Sequence, residues 1–167
     1  MKKLLTLLMT LVIAFSFTAC KEASGSSNQS SNLEISVEEI LDKIYETAKV
    51  DNDFKEHVKP RLKTEQITAE KIEYYLGKAG IEFETAIASE SMITTSAYSL
   101  CLVKVKEGAD VEKIKKDIKE NVNPRKWICV GVEPENVMVD SIGNVIFLVM
   151  SDDYAKSLHD AFLTLKK

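Results

Sequence analysis

The sequence predicts one α+β domain: an antiparallel sheet of about four strands in two β-β-α units, with helices on one face and one or two helices ahead of it. Three observations carry this reading. Apolar residues recur at helical spacing over 37–48 and 111–122, as in helices that bury one stripe. They alternate over 81–90 and run unbroken over 145–150, which marks one half-exposed strand and one strand buried on both faces. Gly143-Asn144 parts two such runs, a two-residue hairpin signal.

Each element follows in order. Ser36 with Glu39 forms a capping box ahead of Val37, Ile40, Leu41 and Ile44, which share a face to about Ala48. Residues 49–66 are charged and carry Pro60, which predicts an irregular loop. Thr68 caps a short second helix to about Lys78, stapled by Ile67 and Ile72 and ended by Gly77 and Gly80. In the first strand Ile81, Phe83 and Ile87 fall on one face. In the second, 98–106, Cys101, Val103 and Val105 do. Asp110 caps a helix that buries Val111, Ile114, Ile118 and Val122 and stops at Pro124. Residues 127–132 read as a short strand or a buried loop. After the hairpin of 136–142 and 145–151, Asp152 or Asp153 caps a last helix that turns Ala155, Leu158, Phe162 and Leu165 inward.

Ahead of this domain lies a different kind of sequence. Met1-Lys2-Lys3 precedes a mostly apolar run from Leu4 to Phe17. At ~1.5 Å per residue those fourteen residues cover about 21 Å, short of a ~30 Å hydrocarbon core. The pattern is that of a cleaved export signal. Phe17-Thr18-Ala19-Cys20 resembles a lipobox, so Cys20 is the expected lipid attachment and new N-terminus. Residues 21–32 hold five serines and no large apolar side chain; such a tether has an r.m.s. reach of about 19 Å. The expected organisation is a signal at 1–19, lipidated cysteine and tether at 20–35, and one α+β domain at 36–167. The expected location is the outer face of the cell membrane, with lipid at Cys20 as the anchor.

The whole chain carries 45% hydrophobic and 29% charged residues, six glycines and three prolines, which excludes collagen-like and globally disordered classes. Its net charge is -4 and falls to -6 once Lys2 and Lys3 leave with the signal. A nucleic-acid binder needs a basic face, so no nucleic-acid partner is expected. Phosphate loops, Gly-x-Ser-x-Gly elbows, Ser-x-x-Lys and His-Glu-x-x-His are all absent. With His57 in the charged loop and His159 on the last helix as its sole histidines, the chain predicts no metal site and no cofactor. His159 reads as a partly buried packing residue.

Four residues stand out as a candidate ligand loop. Thr94, Thr95 and Ser96 lie in a hydroxyl-rich tract between the first two strands, and Trp127 follows Arg125-Lys126, a cation beside an aromatic. The alternative readings are a hydrogen-bonded turn and a core anchor. Export allows a disulfide between Cys101 and Cys129; the alternative is two separate small hydrophobes, favoured by the face Cys101 shares with Val103 and Val105. Lys113, Lys115, Lys116 and Lys119, interleaved with acids, read as a solvated helix face.

The Cys20 motif with its Ser-rich tether, Met92-Ile93-Thr94-Thr95-Ser96-Ala97 leading into Leu102-Val103-Lys104-Val105-Lys106, the Val111–Val122 helix and Leu148-Val149-Met150-Ser151-Asp152-Asp153 together resemble a family of lipoproteins from Gram-positive, mostly anaerobic bacteria, the domain of unknown function 4358. The similarity spans about 36–165. Where that family has an aromatic-Gly-Tyr-like loop before a proline, this chain reads Cys129-Val130-Gly131-Val132-Glu133-Pro134. The resemblance implies an extracytoplasmic lipoprotein of no agreed activity, so it carries no functional residue over to this chain. The expected role is a binding or assembly accessory with an envelope protein as partner. The alternatives are a small envelope hydrolase with a scattered site and a solute-capturing lipoprotein. His159 or Cys101 beside a carboxylate in one cleft would favour the hydrolase.

Overall fold

Residues 32–166 are described by the structure, a computed structural model. The expected signal 1–19, Cys20 and the tether up to residue 31 lie outside the described residues. Among the described residues no helix is long and apolar enough to cross a membrane.

The chain is α+β, with a five-stranded antiparallel sheet. In chain order the elements are α1 (Val37–Thr47), β1 (Leu62–Gln66), α2 (Ile72–Leu76), β2 (Phe83–Ser91), β3 (Ser99–Val105), α3 (Val111–Asn121), β4 (Val137–Ile142), β5 (Val145–Met150) and α4 (Ala155–Leu163). The sheet order is β1-β2-β3-β5-β4, every neighbouring pair antiparallel. Because β3 and β4 both run against β5, they are parallel to each other, and α3 joins them by crossing over β5. That is a split β-α-β unit.

Helices cover both faces of the sheet rather than one. α1, α4 and Phe54 pack with Ile87, Leu100, Leu102, Phe147 and Val149. α2 and α3 pack with Ala86, Ala88, Cys101, Val103, Ile146 and Leu148 on the opposite face. The central strands leave no choice: β5 is buried at every position and β3 at all but one, so each face needs a cover.

The fifth strand comes from the segment that reads as a loop. A π-turn at Phe54–Val58 and a 3₁₀ turn at Lys59–Arg61, which takes up Pro60, lead into β1. Residues 62–66 pair with Ser91 to Ile87 of β2 yet are mostly exposed. A polar edge strand is held by its ladder and shows no apolar alternation. A bulge between Phe83 and Thr85 explains a second difference. An extra residue flips the side-chain face, so Ile81 and Phe83 lie with α2 and α3 whereas Ile87 lies with α1 and α4.

The helix ends follow local chemistry. The Ser36–Glu39 box is formed reciprocally, and Asp110 caps α3 through the Lys113 N–H at 3.0 Å. For α4 the Ser151 hydroxyl accepts from the Tyr154 N–H at 3.2 Å. Asp152 instead accepts from the Glu133 N–H and the Asn136 amide, each at 2.9 Å, tying the chain before β4 to the turn after β5. Gly77 ends α2 at φ 76°, where a Cβ would lie 2.2 Å from the Asn121 carbonyl.

Packing begins ahead of Ser36, since Leu33 and Ile35 lie against the α1–α4 core. Asn32 accepts from the Asn144 N–H at 3.1 Å, so the chain leads toward Cys20 from the Gly143-Asn144 turn. Strand pairing puts that turn and the 92–98 connection at opposite ends of the sheet. The seven residues of β3 between them span about 23 Å at ~3.3 Å each.

Candidate functional site

Two loops meet at the sheet end remote from Asn32. The β2–β3 connection, 92–98, is turned by its hydroxyls and backbone: Ser91 Oγ accepts from the Ile93 N–H at 3.1 Å, and the Ser96 N–H donates to the Ile93 carbonyl at 3.0 Å. The 123–132 loop is closed by the Val132 N–H on the Pro124 carbonyl at 2.8 Å and opened from α3 by Asn123, which accepts from the Arg125 N–H at 2.9 Å. Gly131 permits this closure, for a Cβ there would lie 2.8 Å from Arg125 Cγ. The Ile128 N–H then donates to the Thr94 carbonyl at 3.3 Å. The loops holding Thr94–Ser96 and Trp127 are thus brought together.

Lys126 fastens this end from below. Its side chain is 3% exposed and forms an ion pair with Glu90 at the end of β2. The ammonium lies 4.6 Å from the Tyr74 ring, 4.9 Å from Tyr75 and 5.4 Å from Trp127, with Ser99 Oγ at 3.4 Å. Burying an ammonium is tolerable only with a counter-charge and aromatic faces around it. One residue therefore links the 123–132 loop to β2, β3 and α2. The sequence marks Lys126 only as a cation beside Trp127, and nothing in it marks Glu90; the adjacent Tyr74-Tyr75 was a further available signal.

Above this hub the surface is apolar. Ile128 is 62% exposed, Met92 60%, Tyr74 52% and Ile93 41%, while Trp127 is half-buried against the α2–α3 core. Thr94 and Thr95 are exposed at the crest and Ser96 is half-buried. Beside them Arg61, His57 and Asp53 share a cleft of about 330 Å³ with Ser91, Ile93 and Ser96. Cys129 lies in the crest loop, exposed, at φ 62°.

Two hydroxyls on the strands that flank the 92–98 connection, Ser89 of β2 and Ser99 of β3, are internal. Ser89 accepts from the Tyr45 hydroxyl at 2.8 Å, and Tyr45 and Tyr98 hydroxyls are 3.0 Å apart. Burial pushes the Tyr45 phenol up to about 12. Ser99 is buried 3.7 Å from the Cys101 thiol. Cys101 and Cys129 are both free, one buried and one exposed, so no disulfide joins them. Burial pushes the Cys101 thiol up to about 11, which keeps it protonated at neutral pH and removes it as a nucleophile.

His159 is more than a packing residue. Its Nε2 is 2.9 Å from Asp140 Oδ2, and its ring centroid is 5.9 Å from that of Phe147. Lys115 reaches both Asp140 at 3.6 Å and Glu112 at 3.0 Å. Burial opposes ionisation of Asp140, but His159, the Ser141 N–H and Lys115 together hold its carboxyl below the usual range. Lys119 donates to the Val137 carbonyl on the open edge of β4. The lysine face of α3 thus covers that edge. Asp140 and Lys115 line both a cleft of about 500 Å³ beside Asn32 and one of about 490 Å³ beside His159. Among the described residues no hydroxyl or thiol hydrogen-bonds the His159 ring, and no group of three or more His, Cys, Asp or Glu is placed to hold a metal. No family model, curated protein or solved structure matches the chain.

Proposed function

We propose that the chain is a lipid-anchored extracytoplasmic binding module that presents the 92–98 and 123–132 loops to an envelope protein. The observation that supports this most is the exposed Met92, Ile93 and Ile128 on loops fastened by a buried Lys126–Glu90 pair. An apolar surface held on a braced support is organised for contact. Its position agrees with an anchor at Cys20. Asn32, the first described residue, lies at the other end of the sheet, so the loops are at the end remote from where a tether to Cys20 would join.

The test is a photo-cross-linking side chain in the full-length lipoprotein in cells, placed at Ile93, at Ile128, and at Lys106 near the anchor end. An unrelated Cys20-type lipoprotein serves as control. A discrete adduct at Ile93 and Ile128 that is absent at Lys106 and in the control is the expected result. Equal labelling at all three positions opposes the proposal.

A second reading, the small envelope hydrolase, is favoured by one observation: His159 and Asp140 share an open cleft. There the imidazole would serve as a general base toward water, with Asp140 orienting it. An ester or amide hydrolysis screen of the full chain against His159→Gln decides it. Turnover lost in the variant supports a hydrolase; identical rates oppose it.

A further inference from the structure

We infer that the loop end takes an acidic peptide segment, one carboxylate of which binds at Arg61 while its apolar side chains lie on Met92, Ile93 and Ile128. The inference rests on the binding surface proposed above and names the chemistry of its partner.

Arg61 is tied to the surface through its backbone, its carbonyl accepting from the Met92 N–H at 2.9 Å. Arg61 is exposed and lines the cleft, and its guanidinium has no carboxylate within 4.0 Å among the described residues. By contrast Arg125, the other described arginine, lies 3.9 Å from Glu133. The one acid lining the cleft, Asp53, is engaged by the Tyr154 hydroxyl at 3.2 Å. Ser91 Oγ already accepts from the Ile93 N–H, so its hydroxyl hydrogen is free to donate. Ser96 lines the same wall. A guanidinium fork with flanking hydroxyl donors suits a carboxylate.

The turns leading to Arg61 carry charges of both signs. Lys55 and Lys59, on the turns leading to Arg61, also have no carboxylate within 4.0 Å among the described residues; the Lys59 ammonium lies 5.5 Å from the Tyr45 ring. Asp51, Asp53 and Glu56 lie in the same segment, so its formal charges balance, and Arg61 is the arginine that lines the cleft beside the exposed Ile93. A polypeptide that carries both carboxylates and apolar residues matches both halves of the surface. Asn32, the first described residue, lies at the opposite end of the sheet, and vesicle binding is tested beside peptide binding.

The experiment uses full-length lipoprotein in detergent micelles and a fluorescein-labelled peptide that alternates Glu with Leu, read by fluorescence anisotropy. Binding weakened about tenfold or more by Arg61→Ala, less by Arg61→Lys, and by a Gln-for-Glu peptide, is expected. Undiminished binding in Arg61→Ala, or equal affinity for the Gln peptide, overturns the inference. So does Arg61-dependent binding of phosphatidylglycerol vesicles in the absence of peptide binding. Unfolding midpoints check that the variants fold. If the in-cell adduct at Ile93 persists undiminished in Arg61→Ala, the carboxylate site fails and the loop surface stands. If wild-type adducts do not single out the loop end, the surface itself fails.

Discussion

The Lys126–Glu90 pair is the most buried ion pair among the described residues, its side chains only 3% and 18% exposed. Removing one partner of such a pair leaves an uncompensated charge, at a cost of about 3 kcal/mol or more. Lys126→Met should therefore destabilise strongly in urea unfolding, and Lys126→Met with Glu90→Gln should recover part of the loss. A simple sum of the two single effects would mean that the charges do not interact. The thiols make a second prediction at this scale. In the processed lipoprotein, maleimide should add once to the folded chain, at Cys129, and twice in denaturant. The Cys101 thiol, held up to about 11 against 9.0 for a free thiol, binds its proton more tightly in the fold. Its contribution is complete below pH 9.0 and is lost as pH rises toward about 11. Alkaline titration of unfolding stability should fall through that window, and less so in Cys101→Ala.

Among the elements, α2 and α3 are locked where Gly77 passes the Asn121–Val122 backbone. Gly77→Ala would bring both a strained φ and a Cβ 2.2 Å from backbone atoms, so a loss of about 2–4 kcal/mol is expected by thermal or urea unfolding. A loss under about 1 kcal/mol, the scale of a glycine's entropy effect alone, would show that α2 can move aside. β1 illustrates a different economy. It carries few buried side chains and is held by pairing to β2 and by Glu65. The Tyr75 hydroxyl first, then Lys63, hold the Glu65 carboxyl down to about 2. That contribution is present above pH 4.5 and fades as pH falls toward about 2.

For the whole molecule, the sheet separates two ends with different chemistry. One end joins the chain toward Cys20 and the cleft beside Asn32 that Asp140 and Lys115 line. The other carries the exposed apolar loops and the cations at Lys55, Lys59 and Arg61. If the N-terminal motif works as expected, Cys20→Ala should abolish lipid labelling and move the protein to the soluble fraction. The Ile93 adduct should then also be lost, because tethering supplies the local concentration on which a weak contact depends.

Much of this architecture was legible from residue order. Helical spacing and caps located α1, α3 and the hairpin, and the unbroken 145–150 run announced a central strand, because burial periodicity and free N–H groups are local in sequence. Neighbouring strands decided the rest. β1 has no apolar pattern of its own and exists through backbone pairing to β2; the Phe83–Thr85 bulge moved Ile87 to the other face; and a strand apolar on both sides drew helices to both. Thr94–Ser96 and Trp127 were visible as unusual residue types, but their meeting was not. Lys126 finds Glu90, Tyr74 and Tyr75 only once the sheet and α2 have closed around it, since an ammonium's worth depends on which charges and rings surround it in space.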